Sequence, residues 1–176
     1  LNRLNPLKIK LPFSVRSLFI RTQDTPNPQC LKFYPGKTVL EKSGDTLDFS
    51  SVKFTHISPL ARTLFLIEGV NRVFYAHDYL SITKQDEEDW DTLSPEIYGA
   101  ITDHYTKGLP ILTDVIPEDE TVILDTDSED VAMIKEIIIT RIRPFVQNDG
   151  GDVSFKEFDQ ETGKVVLLMK GSCAGC

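Results

Sequence analysis

The sequence is poor in cysteine and lacks long apolar runs, and its charge of one sign is missing where the other begins. Its 176 residues hold three cysteines, Cys30, Cys173 and Cys176. A sparse, odd set of this kind does not frame a disulfide-stapled secreted domain, so a reducing compartment is expected. No apolar run reaches the roughly eighteen residues that a membrane-spanning helix needs. The net charge of −8 argues against a general nucleic-acid binder. No acid precedes Asp24, yet Arg3, Lys8, Lys10, Arg16 and Arg21 are all present. This basic, serine-bearing, apolar leader, residues 1–17, has the composition of an organelle transit peptide, although Pro6 and Pro12 interrupt any long amphipathic helix in it.

What is there fits a soluble globular chain: 40% of the residues are hydrophobic and 26% are charged. Hydrophobic periodicity and turn residues predict an α+β protein of two small domains, each an antiparallel sheet with packed helices. The first domain spans 18–110. In it, two short strands flank the Thr25-Pro26-Asn27-Pro28 turn, where both prolines hold φ and Asn27 favours a turn. A short helix follows, capped by Ser58, with Pro59 at its first position and Gly69 as its stop. A hairpin turns near Ala76–Asp78, and a second helix is expected from the Ser94 cap to Gly108. Residues 111–127 read as a flexible, solvated acidic linker, because 113–130 carries eight acids and no Lys or Arg. The second domain, 128–176, opens on a helix with capping-box spacing at Thr126 and Glu129. Val131, Ile134, Ile138 and Ile142 share one face of that helix, and Pro144 ends or kinks it. A tight turn at Asn148–Asp152, needing positive φ, leads into a hairpin that runs straight into Gly171-Ser-Cys-Ala-Gly-Cys176.

The closing C-x-x-C pair admits three chemistries: zinc, a redox dithiol, or an iron–sulfur cluster. The dithiol is disfavoured, since the pair leaves a hairpin and no thioredoxin-like βαβ pattern lies near it. Zinc or a cluster asks for four ligands, and this domain offers two. Cys30 sits in the other domain on a strand-like segment and reads as a buried structural thiol. His56, His77 and His104 also belong to the first domain. The shortage points to one site shared by two chains across a two-fold axis.

Three patterns then carry a resemblance: R-x-R-P (Arg141–Pro144), D-G-G-D-V (Asp149–Val153) and G-S-C-x-x-C (Gly171–Cys176). With the surrounding IKEIIITRIRPFVQNDGGDVSFKEF, they resemble the cluster-binding domain of Nfu-type iron–sulfur scaffold proteins. TPNPQCLKFYPG, SPLARTLFLIEGVNRVFYAHDYLSITK and the Trp90–Ile97 stretch resemble the N-terminal accessory domain of the mitochondrial members. The resemblance implies a scaffold and no enzyme. It implies a [4Fe–4S] cluster held by Cys173 and Cys176 of two subunits, so the expected assembly is a homodimer bridged by that cluster. Client apoproteins, lipoyl synthase and respiratory-chain enzymes among them, would receive the cluster, and upstream cluster-assembly factors would supply it. The implied location is the mitochondrial matrix, with no nucleic-acid or membrane partner. A zinc-bridged dimeric interaction module is the alternative. Members of the family continue past the second cysteine into a helix, so the sequence reads as incomplete in its second domain.

Overall fold

The structure, a computed structural model, describes residues 18–115 and 119–175. The transit peptide expected at 1–17 and the ligand expected at Cys176 lie outside the described residues. The fold is α+β, as expected, with antiparallel sheets and packed helices. No helix among the described residues is long and apolar enough to cross a membrane.

The first half is built on a five-stranded antiparallel sheet. Its strands are β1 (Arg21–Asp24), β2 (Cys30–Tyr34), β3 (Leu47–Phe49), β4 (Val70–Tyr75) and β5 (Leu80–Lys84), in the order β1-β2-β5-β4-β3. The turn between β1 and β2 closes as its residues suggest. Asn27 accepts from the Gln29 N–H through its side chain at 3.0 Å and from the Cys30 N–H through its carbonyl at 2.9 Å.

Alternation along the strands gives the sheet two unlike faces. Phe33, Val73, Tyr75, Leu80 and Ile82 point one way and are fully buried. They pack under α1 (Pro59–Leu64) and α2 (Trp90–Thr106), through Leu60, Ala61, Leu64, Ile97 and Ile101. Ser58 caps α1, accepting from the Ala61 N–H at 3.2 Å, and its hydroxyl also meets the Tyr75 hydroxyl at 3.0 Å. Helix α2 starts five residues earlier than expected, with Asp89 as its cap rather than Ser94, and Pro95 lies inside it. Leu93, Ile97 and Ile101 anchor the same face through burial, which outweighs the hydrogen bond that Pro95 cannot donate.

The second half runs α3 (Glu129–Ile137), one π-helical turn (Ile138–Ile142) and α4 (Arg143–Asn148), then β6 (Gly151–Asp159) paired antiparallel with β7 (Lys164–Gly171). Ser128, not Thr126, caps α3, accepting from the Val131 N–H at 3.3 Å. Pro144 does not end the helix. The wider π turn just before it absorbs the missing N–H, and Pro144 falls in the opening turn of α4. A 3₁₀ turn, Ser172–Gly175, carries the chain from β7 past Cys173.

The acidic stretch is more ordered than its composition predicts. Thr121 is fully buried. Its hydroxyl accepts from the Phe155 N–H at 3.0 Å and from Arg143 at 3.1 Å. Asp119 pairs with Arg143 at 2.7 Å, and Asp127 pairs with the buried Lys135 at 2.8 Å. The described part of this run therefore clamps the second half, in place of the solvated linker expected. The two halves also touch: Asn27 Nδ2 donates to Ser172 O at 2.9 Å, and Ser81 Oγ donates to Gly150 O at 2.7 Å.

Candidate metal centre

Cys173 is half-buried in the 3₁₀ turn that follows β7. Two turns meet beneath it. The first is Asp149-Gly150-Gly151-Asp152, which joins α4 to β6; the second is Gly171-Ser172, which leaves β7. They lie together because Gly151 pairs with Gly171 at the end of the β6–β7 ladder.

Glycine is needed at each position for a separate reason. Gly150 has φ +89 and Gly171 has φ +62, backbone that side chains rarely adopt. The positive φ expected in this turn is supplied by Gly150, and Gly151 is not among the glycines that have one. A Cβ at Gly151 would collide with the Lys170 carbonyl and stand 3.0 Å from Cys173 Sγ and 3.1 Å from Cys173 N. Gly151 thus keeps open the space into which the thiol fits.

Ser172 is tied on several sides. Its N–H donates to Gly150 O at 3.3 Å, and its hydroxyl donates to Asp149 O at 2.6 Å. Its carbonyl accepts from Asn27 Nδ2 at 2.9 Å, and its hydroxyl lies 3.7 Å from Cys173 Sγ. The residue before the thiol is therefore fixed by both halves of the chain.

The R-x-R-P pattern acquires a physical role here. Arg143 Nε lies 3.0 Å from an Asp152 carboxylate oxygen, and Nη2 donates to Val153 O at 3.0 Å. Asp152 is 1% exposed. It also accepts from Thr46 Oγ1 at 2.5 Å and from the Val153 N–H at 2.8 Å. A buried carboxylate is tolerable only with such partners. Arg143 and Asp152 were visible in the sequence as pattern residues, but nothing in their spacing showed that one braces the other. Lys32, Ser81 and Asn27 were missed as residues of this site. A lysine inside the strand pattern Cys-Leu-Lys-Phe-Tyr was the available signal.

Cys30 is 2% exposed and carries no disulfide. Burial pushes the Cys30 thiol up, against weaker hydrogen bonds from Thr83, Ser81 and Thr25. It is held as a protonated thiol, as a structural cysteine would be. Among the described residues, no three His, Cys, Asp or Glu side chains converge to hold a metal. His104 is buried in α2, and burial holds its imidazole below its ordinary range.

Comparison with known proteins gives this arrangement a family. Residues 20–108 match the scaffold protein Nfu/NifU N-terminal family, and residues 134–176 match the NifU-like domain. The chain is 48% identical over 171 residues to the NFU1 iron-sulfur cluster scaffold homolog, mitochondrial, of Drosophila sechellia; the match covers 97% of this chain and 59% of that protein. It is 48% identical over 163 residues to NifU-like protein 4, mitochondrial, of Arabidopsis thaliana, covering 92% of this chain and 57% of the relative. The chain thus spans less than two thirds of the curated relatives it matches. The solution NMR structure of a NifU-like protein from Saccharomyces cerevisiae shares the fold at 24% identity, with a TM-score of 0.51, covering 63% of this chain and all of that one. With its larger family match spanning half of its length and its cysteine turn inside the smaller one, the chain belongs to the Nfu/NifU family of scaffold proteins.

Proposed function

We propose that this protein is a mitochondrial iron–sulfur cluster scaffold. Its cargo is a [4Fe–4S] cluster held by Cys173 and Cys176 from each of two copies, then passed to apoproteins. The observation that carries this reading is the cysteine turn itself. Cys173 stands at the end of the β6–β7 hairpin, over a glycine kept bare, beside a serine held by three hydrogen bonds. Such a turn presents a thiolate to iron without a large ordering cost, and iron–sulfur clusters are held by thiolates. The names of the relatives support both the cargo and the compartment. In this reading 18–110 is the accessory part, 111–127 the connector, and 128–176 the cluster-binding part. In this reading the role is to hold and release the cluster.

Anaerobic reconstitution with iron and sulfide tests the reading. The expected product is brown, with one four-iron cluster per two chains by iron and sulfide analysis, and it elutes as a dimer on sizing. Cys173→Ser and Cys176→Ser each abolish the colour and the cluster-dependent dimer, while Cys30→Ser keeps both. A colourless protein with bound zinc, or a monomer holding a whole cluster, would overturn it.

A further inference from the structure

The five-stranded sheet has a second face, turned away from α1 and α2. One row of it crosses four strands. Lys32 on β2 pairs with Ser81 on β5, Ser81 with Phe74 on β4, and Phe74 with Asp48 on β3. Directly paired residues share a face, so the four side chains stand side by side. Lys32, Ser81 and Phe74 are at most 2% exposed. A lysine and a serine buried this deeply on a sheet face are costly unless their partners are fixed.

Each member of the row meets the end of α4 or one of the two turns beneath Cys173. Lys32 Nζ donates to Asn148 O at 2.6 Å, over the Tyr79 ring. Ser81 Oγ donates to Gly150 O at 2.7 Å. Phe74 lies under Gly171, where an added Cβ would stand 3.0 Å from its ring. Asp48 accepts from the Gly171 N–H at 3.3 Å. Beside the row, Asn27 donates to Ser172 O. The carbonyls of Gln147 and Asn148 end α4, where helical partners run out and the dipole is negative, so an ammonium is well matched there.

We propose that this face is a seat for the cysteine turns, and that Asn27, Lys32 and Ser81 are positioning residues for Cys173. The proposal rests on the cluster-binding reading above. The first half then does more than accompany the second: its donors hold the carbonyls of Asn148, Gly150 and Ser172, and these fix the backbone on which the thiol is mounted. Cluster ligands aimed in advance lose less freedom when iron binds, and support of this kind from outside the ligand set is worth roughly 10- to 100-fold in metal retention.

The test uses the full chain. In the cluster-free protein, NMR relaxation is expected to give one tumbling time for both halves, and the double variant Asn27→Ala, Ser81→Ala to give two. After reconstitution, that variant should lose iron to a ferrous chelator about tenfold faster than the parent. Lys32→Met should also speed the loss, and Lys32→Arg, which keeps a cation on the same carbonyls, should restore slow release. Thermal unfolding of the first half should be unchanged by Ser81→Ala, because its main core lies on the opposite face. Two tumbling times in the parent, or an unchanged release rate in the variants, would overturn the seat. A parent that takes up no iron would instead overturn the cluster reading, while the relaxation result would still judge the docking.

Discussion

Arg143 donates to Thr121 and to the Val153 carbonyl, pairs with Asp119 and Asp152, and leaves 12% of its side chain exposed. One planar fork serves partners from two segments of the chain, 119–121 and 152–153. A lysine has a single ammonium and cannot replace that geometry. Arg143→Lys is therefore expected to destabilise nearly as much as Arg143→Met, by about 3–5 kcal/mol, because Asp152 is left buried without its main partner. Urea unfolding of the two variants checks this; a loss below about 1 kcal/mol in either would count against it. Gly151 gives a second prediction at this scale. Gly151→Ala drives a methyl against the Lys170 carbonyl and the Cys173 backbone, neither of which is a flexible side-chain tip. The expected cost is about 1–3 kcal/mol, and iron uptake falls with it. Gly150→Ala strains φ instead and is expected to cost about 1 kcal/mol. Both glycines were legible as turn residues. Their different reasons were not, since the contact at Gly151 comes from Lys170 on β7.

At the scale of elements, local signals were read well wherever the partner was local. Ser58 and Pro59 start α1, the hairpin turns between Tyr75 and Leu80, and the prolines around Asn27 bound the first turn. The misreadings arise where a distant contact decides. β3 is three residues long and exists through pairing with β4. Asp89 begins α2 because Leu93, which precedes the proline that looked like the start, must reach the core. The acidic segment looked solvated because its cations, Arg143 and Lys135, lie beyond it in the sequence. Its order has a pH consequence. Burial alone would raise the Asp119 carboxyl, but the Arg143 hydrogen bond and charge, with the Thr121 N–H, hold it below its ordinary value. A carboxylate depressed in the folded state adds stability above its unfolded pKa, about 3.9, and that stability is lost as pH falls through the folded value. Unfolding of the second half, followed by urea at pH 5 and pH 3, should show this loss in the parent. Asp119→Asn should be less stable at pH 5 and should lose less between the two pH values. An equal loss in both proteins would remove Asp119 from the account.

For the whole molecule, the division into two halves could be seen in composition, but their docking could not. The row Lys32–Ser81–Phe74–Asp48 comes from four strands, and only the register of the sheet makes neighbours of residues so far apart. The halves are joined without sharing a main core. The first has its apolar core between sheet and helices, on the face away from the seat. The second buries little beyond Ile138 and Val153, and leaves Val165 to Met169 of β7 exposed. Arg143 and the acidic clamp supply its fixed polar contacts. Coupling should therefore run unequally. Arg143→Met, which removes the brace, is expected to strip hydrogen-exchange protection from the amides of Val153, Phe155 and Leu167 in β6 and β7. Phe33, Val73 and Ile82, bonded within the first sheet and buried under the helices, should keep theirs. Protection falling equally in both sheets would mean that the halves unfold as one unit, and that the core beneath α1 and α2 is not sufficient alone.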